Sequence, residues 1–254
     1  RLALMFKTRL VLIHIGTASA EKQNTFETLL HPFLTKGLSP KVVFAPGEPV
    51  EAILKTVREH KVDLLILGAL QRENFLKYYI GSIARKITRK ATCSVLLLIN
   101  PAVTRVPCKH IVVNGLADEK TPQTIHTAFF VAHALGSDKL TIVEEVSHSK
   151  VGTVKDHKTL RKTTMLKERI RRQEDSRVKK ILETVPPEHK EDRNIQTQPI
   201  FGKRGYSIGH YAQVVRADLL VMNAPAKARF WDRLFPHDME HILTELPTDV
   251  LIIQ

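Results

Sequence analysis

Val62–Asn100, VDLLILGALQRENFLKYYIGSIARKITRKATCSVLLLIN, is the stretch whose reading decides the fold. It runs strand, glycine turn, loop, helix, strand. Val62–Leu67 is a short apolar run that ends in Gly68, Gly81-Ser82 opens a helix, and Ser94–Ile99 is a second apolar run. Runs this continuous suit strands buried on both faces, as in a parallel sheet. Glycine at the end of such a strand lets the backbone pass close to a ligand, because no Cβ stands in the way. Gly-Ser at the head of a helix offers free N–H groups and a hydroxyl, which suits a phosphate.

This stretch resembles the nucleotide loop of the universal stress protein family. That loop is a glycine, two residues, a second glycine, nine residues, a third glycine, then Ser or Thr. Gly68, Gly81 and Ser82 stand at matching positions, and Gln71 replaces the second glycine. The flanks at 63–68, DLLILG, and 93–98, CSVLLL, are similar to the family's fourth and fifth strands. Arg9–Ile15 reads as a strand, and its Ile15 matches the position whose backbone meets adenine in the family. Ala20–Lys36 reads as a helix with Phe26, Leu29, Leu30 and Phe33 on one face, and Lys41–Ala45 as a strand. Gly47-Glu-Pro49 starts a helix through His60, with proline welcome in the first turn.

The resemblance implies flavodoxin-like α/β units of the adenine nucleotide alpha hydrolase type. It also implies a regulatory role in stress response and binding of ATP or AMP through Ile15, Leu67, Gly68, Gln71, Gly81, Ser82 and Ile83. The Gln71 side chain occupies space the family leaves for phosphates. Arg72 is a further candidate for phosphate contact, whereas Arg89 and Lys90 read as a solvated helix face.

A shift of 155 residues lays Val62–Gly68 over Ala217–Asn223, Cys93–Ile99 over Thr248–Gln254 and Gly47 over Gly202. Nearer the start the shift is 130, with Leu10–Ile13 over Leu140–Val143. The second copy therefore carries about 25 extra residues. Two related halves predict two parallel-sheet domains in tandem: 1–101, a linker at 102–108, and 109–254 with a helical insert at about 150–190. Lys109–Val113 reads as the opening strand of the second copy and Thr121–Leu135 as its first helix. Their counterparts would lie before Arg1, which reads as part of a longer chain or one lacking an N-terminal piece. Either a homodimer or pairing of the tandem copies within one chain is expected.

The 254 residues are 43% hydrophobic, enough for real cores, and no run of eighteen apolar residues predicts a spanning helix. No secretory leader is legible. Cys93 and Cys108 lack metal-type spacing and read as reduced thiols in a cytoplasmic protein. The net charge of +13 favours anionic partners. Between 150 and 190, thirteen Lys and Arg face six Asp and Glu, so this insert holds +7 of that charge. Leu166, Ile170, Val178, Ile181 and Val185 give it a helical stripe. The plain reading is a packed helix with its basic face in water. The functional reading is a docking surface for a membrane or an acidic protein. Nucleic acid ranks below both, because no aromatics interleave with the charges.

The second copy departs at its site. Asn114 stands where the family's first strand ends in aspartate, and the following strand lacks the usual histidine. Pro199–Gly209 reads as loop and helix start. Asn223, Ala226, Pro236 and His237 lie over Gly68, Gln71, Gly81 and Ser82, and proline has no N–H to offer. Phe230, Trp231, Leu234 and Phe235 add bulk, so no nucleotide is expected there. His237-Asp-Met-Glu240-His241 has the H-x-x-E-H spacing of a zinc protease class, but too little chain follows for a third ligand. No metal and no chemical step are expected. The alternative reading is a pair that works by contact alone, similar to the cytosolic tails of cation/proton antiporters or amino-acid transporters.

Overall fold

The computed structural model describes residues 1–71, 78–99, 101, 106–147, 157–202, 205–224 and 237–254. They form two compact units, Arg1–Leu65 with Ser82–Cys93, and Ile66–Gly81 with Ser94–Gln254. None of the described helices is long and apolar enough to cross a membrane.

The first unit contains α1 (Leu2–Met5), β1 (Leu10–Ile15), α2 (Ala20–Leu34), β2 (Pro40–Ala45), α3 (Pro49–Glu59) and, after a break in sequence, α4 (Ser82–Lys90). Ser19 caps α2 by accepting from the Lys22 amide at 3.3 Å. Glu48 does the same for α3, accepting from the Glu51 amide at 2.8 Å, and Pro49 opens that helix. Val50, Ile53, Leu54 and Val57 recur at helical spacing and are buried on α3, which packs on α4. Leu30 and Leu38 centre a second cluster with Leu10, Leu12, Phe26, Phe33 and Val42.

The chain continues as β3 (Leu64–Gly68), β4 (Leu70–Gln71), β5 (Tyr78–Tyr79), β6 (Ser94–Leu98), β7 (His110–Asn114), α5 (Thr121–Leu135) and β8 (Lys139–Ser147). It ends with α6 (His157–Glu183), α7 (Pro187–Lys190), β9 (Asn194–Gly202), α8 (Ser207–Val214), β10 (Leu219–Asn223), α9 (His237–Thr244) and β11 (Asp249–Ile253). Seven strands form one sheet in the order β3-β6-β11-β10-β7-β8-β9. Strand β7 is buried throughout and pairs in parallel with β8 and β10. The chain order reverses about it, so the crevice at its carboxyl end is where such sheets take ligands.

The ladders reproduce the sequence repeat residue by residue. Leu10 pairs with Pro40, and Leu140 with Ile195, which are the same two positions after shifts of 130 and 155. The Ala69 amide donates to Leu98 O at 2.8 Å, and the Ala224 amide to Ile253 O at 2.6 Å. Lys61 and Arg216, also 155 apart, both take left-handed backbone at φ 48° and 52° to end α3 and α8. Strands β6 and β11 pair antiparallel with Leu96 opposite Leu251, its own equivalent, so this ladder is self-complementary.

Two parallel sheets are expected from the repeat, the first short of its opening strand, and the described strands divide as seven, two and two. The physical reason is the central strand. β7 joins β10 to β8, and among the described residues the first half has no strand at the matching position. The β1–β2 ladder is therefore a separate two-stranded sheet. Strand β3 is also less buried than its apolar run predicts, with Ile66 42% exposed, because it ends the sheet. Of the loop and helix start expected at Pro199–Gly209, residues 199–202 instead finish an edge strand, β9, and the helix α8 begins at Ser207; β9 tolerates Pro199 because an edge need not donate every N–H.

Candidate functional site

Leu67 and Gly68 close β3 in the second unit. The backbone then turns into β4, where Leu70 and Gln71 pair with Tyr79 and Tyr78 of β5. Ile80 is 2% exposed and its amide donates to Leu243 O at 3.2 Å, which anchors the approach to Gly81. Ser82 is the first residue of α4, as the Gly-Ser pair predicts, and Ser82 and Ile83 are exposed. Arg89 and Lys90 fall in the last turn of α4, where cations complement the helix dipole. A Cβ built on Gly68 meets nothing within 4 Å among the described residues, which leave that flank open.

Ile15 ends β1 in the first unit. Gly16 follows at φ +137°, a conformation that favours glycine, and its amide donates to Ala45 O at 3.0 Å. The His14 ring before it meets Phe26 and Phe44 edge-on at 6.2 and 5.8 Å. Of the seven predicted residues, Leu67, Gly68, Gln71 and Gly81 thus belong to the second unit, and Ile15, Ser82 and Ile83 to the first. Arg72, Ala226, Phe230, Trp231, Leu234, Phe235 and Pro236 lie outside the described residues. Among the described residues, no group of three His, Cys, Asp or Glu is placed to hold a metal.

The corresponding edge of the second half is occupied by the chain itself. Asn114 Oδ1 accepts from the Leu116 amide at 3.1 Å, closing a tight turn at the end of β7. Asn223 at the end of β10 donates to Thr121 Oγ1 at 3.3 Å and Asp118 Oδ1 at 3.4 Å. Glu144 and Glu145 take the places of His14 and Ile15. The Glu145 carboxylate, 3% exposed, accepts from the Gly205 amide at 2.8 Å and the Ile208 amide at 2.7 Å, so it fills the head of α8. Arg177 of α6 donates to Gly115 O, to Glu144 at 3.0 Å and to Glu174 at 2.7 Å.

Two carboxyls thus share one guanidinium in a half-dry setting. Burial and the neighbouring Glu174 push Glu144 up to about 8, while Arg177 pulls the other way without prevailing. The carboxylates in turn hold Arg177 above its ordinary value despite burial. This cluster is not expected from the sequence. The legible signal is the Glu144-Glu145 pair inside an otherwise apolar strand, since acids there need partners.

Gly115 is where strand, turn and Arg177 meet. A Cβ there would stand 2.6 Å from Ile142 Cγ2 and 3.3 Å from Val143 O. Ile142 is 1% exposed and cannot yield cheaply. Gly115→Ala is expected to cost about 1–3 kcal/mol through overpacking, read as a lower urea midpoint with an unchanged slope.

Residues 13–98 match the model of the Universal stress protein family. Over 63 residues the chain is 30% identical to universal stress protein YxiE of Bacillus subtilis (strain 168), which is 25% of this chain and 43% of that protein. The chain thus spans less than half the length of this curated relative. Its fold is similar to that of a Pseudomonas aeruginosa UCBPP-PA14 protein named among the universal stress proteins, with TM-score 0.70 and 18% identity over 99% of this chain and 84% of that one. A universal stress protein from Archaeoglobus fulgidus DSM 4304 superposes with TM-score 0.57 and 14% identity, over 97% of this chain and 86% of the other.

Proposed function

We propose, since this chain belongs to the universal stress protein family, that it is a regulatory protein of the stress response whose first half binds ATP or AMP. The observation that carries the binding is the unfilled space beside Gly68, in a segment with the family's loop spacing. The amides of Gly81, Ser82 and Ile83 and the Ser82 hydroxyl suit phosphate oxygens. By the family's spacing, Leu67, Gly68 and Gln71 belong to the same loop, and Ile15 holds the family's adenine position. The groups offered are backbone amides and a hydroxyl. None is a nucleophile paired with a base, so the chain is given no chemical step of its own.

The architecture is a tandem duplication, supported by ladders and left-handed residues that recur at the repeat's own shifts. The self-complementary β6–β11 ladder acts as an intrachain substitute for a dimer contact. The second half binds no nucleotide, because Glu145, Arg177 and Asn223 already occupy its ligand edge. No observation favours the transporter-tail alternative. Isothermal titration with ATP, AMP and cyclic dinucleotides tests the reading. Heat with ATP or AMP is expected, and silence with every ligand removes the binding claim.

A further inference from the structure

One side of α6 is fixed to its own sheet. Thr163 and Val178 are 7% and 3% exposed, and the Lys167 ammonium lies 5.1 Å from the Phe201 ring centroid. Asp175 accepts from Thr197 Oγ1 at 2.9 Å, and Arg177 is held as described. At about 100° per residue these side chains fall within roughly half of the helix circumference.

The opposite face carries charge that the fold does not use. Arg161, Lys162, Arg169, Arg172, Lys179 and Lys180 are all exposed, and none forms an ion pair among the described residues. Two of the helix's acids, Glu174 and Asp175, turn inward, leaving Glu168 and Glu183 outside. Met165 is 74% exposed among the cations. From Arg161 to Lys180 the row is about 28 Å long at the usual helical rise.

We propose that this face docks on an anionic membrane surface, with phosphatidylserine-like headgroups meeting the basic row and Met165 dipping between them. The geometry selects this partner over others. An acidic helix would need an apolar seam along the charges, and the exposed apolar residues Leu160, Met165 and Leu166 cluster near the start of α6 instead of running its length. Single-stranded nucleic acid would want stacking aromatics, and the face has none. A planar negative surface needs only cations aligned on one side of a rigid rod. Packing by Val178, Asp175 and Arg177 keeps that side turned to solvent.

The test is sedimentation of the full chain with phosphatidylcholine vesicles, with and without phosphatidylserine, at low and high salt. The chain is expected to sediment only with phosphatidylserine vesicles and to come off as salt screens the charges. Alanine at Arg161, Arg169 and Arg172 together is expected to weaken binding about 100-fold, taking each cation as worth about fivefold. Alanine at Lys36, Lys41 and Lys86, exposed cations elsewhere, is expected to leave it unchanged. Circular dichroism checks that both triple variants fold. Equal binding to neutral vesicles, no binding at low salt, or an unaffected α6 variant overturns the proposal. So does capture of duplex DNA or an acidic polypeptide without vesicle binding.

Discussion

Arg177→Ala is expected to cost about 3–5 kcal/mol of unfolding free energy, and the cost is expected to grow as pH rises. The guanidinium is the counter-charge for Glu144 and Glu174 and the donor to Gly115 O. Side-chain exposures of 11% and 16% leave the two carboxyls little water to replace it. At low pH they escape by protonation, so the variant loses mainly hydrogen bonds and packing. Toward alkaline pH they must ionise without a partner, and the loss approaches its full size.

The sign holds in the wild type as well. Glu144 titrates near 8 when folded, against an ordinary value of 4.5. Between those values the folded state binds more protons than the unfolded one, so its stability falls as pH rises through that window. Thermal melts across it check both statements, with the variant losing roughly 10 °C at neutral pH for a unit of this size. Adding Glu144→Gln is expected to recover part of the loss. A variant as stable as wild type at pH 8 would show that the cluster fixes nothing.

Gly68→Val is expected to abolish nucleotide binding while leaving the fold intact. The glycine is not held by backbone strain, because it is not among the residues with positive φ, and its flank is empty. A branched side chain would extend into that open space, where the proposed phosphates pass. Strand β3 tolerates the valine, since β-branched residues suit strands. The measured signature is an unchanged melting temperature with ATP or AMP affinity reduced beyond detection. Gly115→Ala gives the opposite result: a lower melting point and no change in the nucleotide taken up. Together they separate a glycine kept for a ligand from one kept for packing.

What the sequence made legible follows local physics. Helix α5 was readable to its ends because Pro122 opens it, Gly136 closes it at φ +71°, and Ile125, Ala128, Phe129 and Ala132 form its buried face. The inner strands β6, β7, β10 and β11 were readable as unbroken apolar runs, since both their faces are covered. Strand β9 was not, because its polar residues and Pro199 carry no such run and its ladder to β8 alone makes it a strand. Arg177 was not, because it is one of ten cations on α6, and only the fold brings it to Glu144, 33 residues earlier. The antiparallel contact of β6 with β11 joins residues about 155 apart, and no local signal encodes that partner. The candidate site stands on spacing: the Gly-Ser helix head lies where it was read, while Arg72 falls outside the described residues.

Counting bound nucleotide per chain by equilibrium dialysis with radiolabelled ATP and AMP tests the central claim, that duplication left one open site and one closed by its own side chains. The account predicts a single equivalent at saturation, lost in Gly68→Val and kept in Gly115→Ala. Two equivalents per chain, or one that survives Gly68→Val, would contradict it.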